Sequence, residues 1–340
     1  MERGSRVRII GNASEEGKEK VRVDIDNAFH HHIEYLPNDL REKFQQNELP
    51  KIEQEIALIA CVNKATNELL EQCGIDVFDV PVENYHILPA DIYKEISLFG
   101  HAEHQWIEQS MVFNADHVRK SPVYFGSCVF HETLHIKAHL SLLVQGEGDD
   151  LWIYYYRAGV SAGGTFQDEL HKHFSGLDEA IIACQQKEFT HRLLSLTVLE
   201  EEKDWLLSDE ALAKKKRFAE KHDLSEDEII WVSKSDPDDF EGMGYASQRR
   251  VLEYVCKEIQ KEFPDRFSVV DDVFKEFLQA HFTGRLLPIA RLVEETFGEG
   301  SFRLLGNMGV EQDSGVLYLE SLQKARGRHI RGRIPGKEKV

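Results

Sequence analysis

Residues 125–144 read FGSCVFHETLHIKAHLSLLV, and the HETLH at the centre of this run decides how the whole chain is read. On a helix, residues four apart stand one above the other. His131 and His135 therefore project from one face and can share a single metal ion. Glu132 is turned from that face by about 100°, where it can serve a water held by the metal without being a ligand. H-E-x-x-H on a helix is the two-ligands-and-base pattern of zinc-dependent hydrolysis. Val129, Phe130, Leu134, Ile136, Leu140, Leu142 and Leu143 surround the motif and predict a buried core helix that continues through His139. Histidines inside such a helix need partners, because an unpaired buried polar group costs about 1–3 kcal/mol. His139 continues the four-residue series but lies about 12 Å along the axis from His131, too far to share an ion, and reads as a helix-face histidine. Cys128, one turn before His131, reads as core.

A third ligand is sought downstream. Ala138 and Ser141 stand where the HExxHxxGxxH pattern of metzincins needs Gly and His, which excludes that subclass. Residues 174–189, FSGLDEAIIACQQKEF, predict a second helix opening near Glu179. This segment resembles the second motif of the gluzincins, the thermolysin-like zinc peptidases, in which G-x-x-N-E-A-x-x-D carries the third ligand. The resemblance covers about residues 83–195 and implies that Glu179 is that ligand, with Asp178 in place of Asn. Ala180 keeps the small residue that lets the two helices approach. The chain departs from the pattern at Ala183, where the motif's Asp would orient a zinc-bound histidine. Another acceptor must then hold that imidazole: Gln186, on the same helix face as Glu179, or a main-chain carbonyl.

The resemblance thus implies one Zn²⁺ per chain on His131, His135 and Glu179, water in the fourth position, and Glu132 as general base for peptide hydrolysis. It also implies an oxyanion donor from the downstream part. Tyr154, Tyr156, Arg157, His171, His173 and Tyr245 are all candidates, whereas His191 falls about 120° off the ligand face. Two other readings use the same residues: an inactive zincin scaffold, or a partner-binding regulator with a structural zinc. Glu132 argues against the first, since a purely structural site needs no base beside its ligands.

Composition narrows the setting. A length of 340 residues allows a large core and an appended unit, and a net charge of −19 excludes a duplex-DNA binder as a whole molecule. Cys61, Cys73, Cys128, Cys184 and Cys256 are odd in number and lack CxxC spacing, which fits reduced thiols. With no leader-like or membrane-spanning apolar run, the expected setting is cytoplasmic, with a peptide or protein substrate and no membrane.

The expected fold class is α+β. A zincin-like catalytic domain (21–195), a mixed sheet with the HExxH helix and the Glu-bearing helix, follows a loose arm (1–20). A mainly helical subdomain (196–323) and a disordered basic tail (324–340) complete the chain. Residues 50–73 predict a long helix, and 82–89, 109–115 and 151–162 predict strands. QSMVFNA (109–115) is the candidate edge strand for pairing with an extended peptide. KSDPDDFEG (234–242) reads as a loop, and His30-His31-His32 as a surface cluster. The tail carries seven Lys/Arg against one acid, and contact with nucleic acid is expected nowhere else.

Overall fold

A computed structural model of the chain describes residues 7–31, 34, 36–97, 100–146, 148, 150–166 and 169–333. The architecture is α+β, with helices packed around small mixed sheets. Helix α1 (Glu15–His30) follows strand β1 (Val7–Ile10), then come α2 (Asn38–Asn47) and α3 (Glu53–Gln72). Strand β2 (Tyr85–Leu88), α4 (Ala90–Ile96), β3 (Ala102–Gln105), β4 (Ser110–Asn114) and the one-turn α5 (Ala115–Val118) lead into the motif helix α6 (Pro122–Lys137). Strands β5 (Leu140–Gln145), β6 (Trp152–Ala158), β7 (Ser161–Phe166) and β8 (Glu169–His173) then precede α7 (Ser175–Leu193), the helix bearing Glu179.

The ends of α6 have local causes. The hydroxyl of Ser121 accepts from the Tyr124 amide at 3.3 Å, and Pro122 occupies the first turn, where its missing N–H costs nothing. At the other end the backbone turns extended at Ala138, and the His139 amide donates to the His281 carbonyl at 3.2 Å. The motif helix is therefore shorter than the apolar run suggested. Leu140, Leu142 and Leu143 belong to β5, and His139 lies outside the helix. Three leucines and a valine in a segment of strand-like composition pair better with β1 and β6 than they extend α6.

Every residue of α6 from Val123 to Lys137 is buried, as the helix packs against both α3 and α7. The five-stranded sheet runs β1-β5-β6-β7-β8, with β1 parallel to β5 and the remaining pairs antiparallel. The three-stranded sheet runs β2-β4-β3, so QSMVFNA supplies the central strand, not the edge. Its five strand residues are all buried, which a peptide-binding edge could not be. Among the described residues the outer strand beside α6 is β3. The aromatic run 151–162 divides into β6 and β7 at a turn on Gly159 and Val160.

Three further expectations give way. Residues 7–20 of the supposed arm form β1 and the start of α1, because β1 pairs with β5 and α1 buries Val21, Ile25, Ala28 and Phe29. After α8 (Glu200–Leu206) and α9 (Asp209–His222) the helical half contains a hairpin of β9 (Ile229–Val232) and β10 (Phe240–Gly242), so the supposed loop ends in a strand. It continues with α10 (Ala246–Glu262), α11 (Val270–Thr283), α12 (Leu287–Phe297), α13 (Ser301–Gly306) and α14 (Gln312–Arg333). The basic tail is helical as far as Arg333. Arg326 Nη1 donates to the Thr296 carbonyl at 2.6 Å and Nη2 to Glu262 at 2.7 Å, which ties the segment down. Residues 334–340 and 1–6, and His32 of the histidine cluster, lie outside the described residues.

The boundary at 195/196 does not separate two cores. One apolar cluster runs from Phe29 through the α6 residues Val129 and Leu134 to Val251 on α10 and Leu322 on α14. All five cysteines are free, and among the described residues no helix is long and apolar enough to cross a membrane.

The β6–β7 turn is a rigid abutment for α7. Gly159 has φ +56°, and an added Cβ would meet Asp178 Oδ1 at 2.3 Å and His281 Nδ1 at 2.4 Å. Gly159→Ala combines left-handed strain with overpacking and is expected to destabilise the protein by about 2–5 kcal/mol in denaturant unfolding. Gly327→Ala, where an added Cβ meets nothing within 4 Å, provides the contrast. Equal midpoints for the two variants would contradict the abutment.

Candidate metal centre

Helices α6 and α7 face each other across the buried centre of the molecule. His131 and His135 sit one turn apart on α6, and Glu179 lies in the second turn of α7. Their polar atoms converge. His131 Nε2 lies 3.3 Å from His135 Nε2 and 3.2 Å from Glu179 Oε2, and His135 Nε2 lies 3.5 Å from Glu179 Oε1. A tetrahedral zinc with ligand distances of about 2.0–2.1 Å has edges of about 3.3 Å. The Nε2–Nε2 separation equals such an edge, and Glu179 spans the pair with one oxygen toward each imidazole, so a small turn of its carboxylate would bring one oxygen to the third corner. Glu179 Oε2 is buried and its contact with His131 Nε2 at 3.2 Å is poorly aligned, a place that a cation would fill better.

The imidazoles are held from behind. Gln186 Oε1 accepts from His131 Nδ1 at 3.0 Å, and Gln186 Nε2 donates to Ser127 Oγ at 3.0 Å and to its carbonyl at 3.2 Å. The Ser127 hydroxyl pairs with Thr190 Oγ1 at 2.8 Å, and Thr190 donates to the Gln186 carbonyl at 2.7 Å. This closed circuit sets the direction of every bond, so Nδ1 of His131 carries a hydrogen and Nε2 is the atom that faces the centre. Ala183 contributes only a methyl group, and Gln186 fills the orienting place. Behind His135, Asp178 Oδ2 faces Nδ1 at 3.8 Å, beyond hydrogen-bond length. Asp178 Oδ1 accepts from the Val160 amide and from His281 Nδ1, each at 2.9 Å.

Glu132 points to a different partner. Its Oε2 accepts from His104 Nδ1 at 2.8 Å, and the His104 ring stacks on His135 with centroids 4.0 Å apart. His104 comes from the outer strand β3 and does not stand out in the sequence, since the bond crosses 28 residues. Trp106 meets His135 edge-on at 5.9 Å and stacks on Tyr155 at 6.3 Å, forming a wall beside the centre.

Of the oxyanion candidates whose side chains are described, Tyr245 alone is brought to the centre. It precedes α10 in a left-handed conformation, φ 59°, and stacks on His131 with centroids 6.0 Å apart. Tyr154 and Tyr156 point outward from β6, 42% and 41% exposed. Arg157 Nη1 donates to the Gly284 carbonyl at 2.7 Å, and His173 is exposed on β8. The side chain of His171 lies outside the described residues.

Charge and burial compete here. Burial opposes ionisation of Glu132, but the bond from His104 and the adjacent imidazoles hold its carboxyl below the usual range. Burial likewise opposes the charge on Glu179, which His135 and His131 outweigh, holding it well below the usual value. Burial works against a charged His131 too, yet the Glu179 hydrogen bond and the Glu132 and Glu179 charges push it up to about 9. Burial and then His104 pull His135 down. Burial, with the two carboxylates, raises the Tyr245 hydroxyl, which stays a donor.

No protein-family model, curated protein or solved structure matches the chain.

Two expectations follow from the geometry. A cation on His131 Nε2 must displace the proton that neighbouring carboxylates hold there up to about pH 9. Zinc affinity is therefore expected to rise with pH toward about 9, by about tenfold per unit, with proton release at pH 7. Calorimetry in buffers of different ionisation enthalpy reads this release, and a pH-independent affinity would contradict it. Removing the support behind His131 with Gln186→Ala should weaken zinc binding by about 10–100-fold without unfolding the protein. Unchanged affinity in a competition titration would show that Gln186 does not orient the ring.

Proposed function

We propose that the chain is a zinc-dependent peptidase, with His131, His135 and Glu179 as ligands and Glu132 as general base. The observation that carries this reading is the pairing of an open three-donor triangle with a carboxylate one residue along the same helix, bonded to His104. A purely structural zinc site closes with four protein ligands, whereas three leave a place for reactants. Bound zinc would supply a Lewis acid that lowers the pKa of water to about 7 and polarises a substrate carbonyl.

The remaining work falls to the protein's own groups. Glu132, kept ionised, accepts the proton of the attacking water and returns it to the leaving amine. His104 restrains that carboxylate through Oε2, which leaves the second oxygen to take the proton. The hydroxyl of Tyr245, held beside His131 and kept protonated, is the donor for the developing oxyanion. Strand β3 offers its outer edge to an extended peptide, which would pair with the backbone while its scissile bond crosses α6. The substrate class is therefore an extended peptide or an unfolded segment of a protein. This arrangement is the gluzincin-like one that the sequence resemblance implies, with Gln186 in place of the usual orienting carboxylate.

Glu132→Gln tests the proposal directly. The amide cannot take a proton, so peptide hydrolysis should fall by about 10²–10⁴-fold while zinc content and unfolding midpoint stay at wild-type values. An unchanged turnover number in that variant would remove Glu132 from the chemistry.

A further inference from the structure

Outside the centre described above, a second set of ligating atoms converges where the three-stranded sheet meets the β9–β10 hairpin. His101 immediately precedes β3, His117 lies on α5, and Glu241 lies on β10. Each carboxylate oxygen of Glu241 faces a different ring: Oε2 is 3.8 Å from His101 Nδ1 and Oε1 is 3.5 Å from His117 Nδ1. The two imidazoles stack with centroids 3.6 Å apart and planes inclined by 13°, so their in-plane lone pairs run nearly parallel and one ring must tilt for both to meet a single ion. One donor atom from each residue lies within 4.8 Å of the others. The strand register shifts between Glu241 and Gly242, an irregularity that re-aims side chains.

We propose that His101, His117 and Glu241 form a second, weaker divalent-cation site that takes Zn²⁺ or a similar imidazole-binding metal. Two imidazole nitrogens and one carboxylate suit zinc and its neighbours, not Mg²⁺ or Ca²⁺, which prefer all-oxygen sites. The competing partners are each satisfied elsewhere or easily displaced. Lys120 Nζ stands 3.6 Å from Glu241 Oε1 but only 2.8 Å from Asp239 Oδ1, its closer partner. The Tyr124 hydroxyl lies 2.9 Å from His101 Nδ1, a neutral contact that a cation replaces. The His101 separation of 3.8 Å exceeds every donor separation given for the first centre, and the two rings are each 34% exposed. Both features favour a lower affinity and faster exchange.

The place of this site in the fold gives it a role. Tyr124 precedes His131 by seven residues on α6, about 10 Å along the axis. That is too far for a two-metal cluster, whose ions lie about 3.5–4 Å apart. A cation here would instead clip the hairpin, 124 residues away in sequence from His117, onto the sheet. His101 is three residues from His104, so the same clip would stiffen the strand that restrains Glu132.

Zinc titration of the metal-stripped full chain tests the site. Wild type should take up about two zinc ions, one tight and one weak, the first held by the deeply buried triad. His117→Ala and Glu241→Gln should each lose the weak equivalent and keep the tight one. His131→Ala should show the reverse. Zinc beyond the first equivalent should raise the melting temperature of wild type but not of Glu241→Gln, a near-isosteric change that leaves the hairpin its hydrogen-bonding capacity. A single equivalent in wild type, or two equivalents surviving in both His117→Ala and Glu241→Gln, would overturn the proposal. Failure of the first centre is read separately, as a tight equivalent that persists in His131→Ala.

Discussion

Two imidazole nitrogens and a carboxylate face one another across about a van der Waals contact, inside a helix pair from which water is largely excluded. Lone pairs so placed repel unless something positive lies among them. In the metal-free chain a proton on His131 plays that part, held by Glu179. A divalent cation would do so with all three residues at once, since one donor atom from each lies within 4.8 Å of the others. The rest of the molecule holds these three groups where they would not otherwise remain.

Helix α6 is buried along its length, so its histidines cannot turn to solvent, and Ala180 on α7 leaves room for close approach. The circuit through Gln186, Ser127 and Thr190 sets the tautomer of His131 with uncharged groups. Its members are buried and its bonds are mutually consistent, the condition under which an interior polar network orders a core. Asp178 serves both helix and loop, since its carboxylate accepts from Val160 in the β6–β7 turn and from His281 on α11. The helical half thereby becomes part of the centre's frame and contributes Tyr245 as well.

Local pattern carried much of this. The four-residue spacing of His131 and His135 and the helix around Glu179 are short-range properties of an α-helix, readable from identity and period alone. Gln186 was legible for the same reason, lying on the Glu179 face of its helix. What depended on pairing was less legible. The leucines after Lys137 extend an apolar run that serves a strand as well as a helix, and only β1 and β6 decide between them. β4 looks like an edge by position but is central by partnership. Tyr245 stood among the oxyanion candidates, but only the fold singles it out, and His104 and the His101–His117–Glu241 group come from segments that gave no such signal. The basic tail read as disordered because its charge was counted without the acids, Glu258 and Glu262, that Arg326 meets in the fold.

Cleavage of a peptide library by the zinc-loaded chain, by the chain stripped with chelator, and by the stripped chain with zinc restored tests the central claim most directly. Cleavage should disappear with the metal and return when zinc is restored in proportion to chain. A protein that holds zinc at the triad yet cleaves no peptide would contradict it.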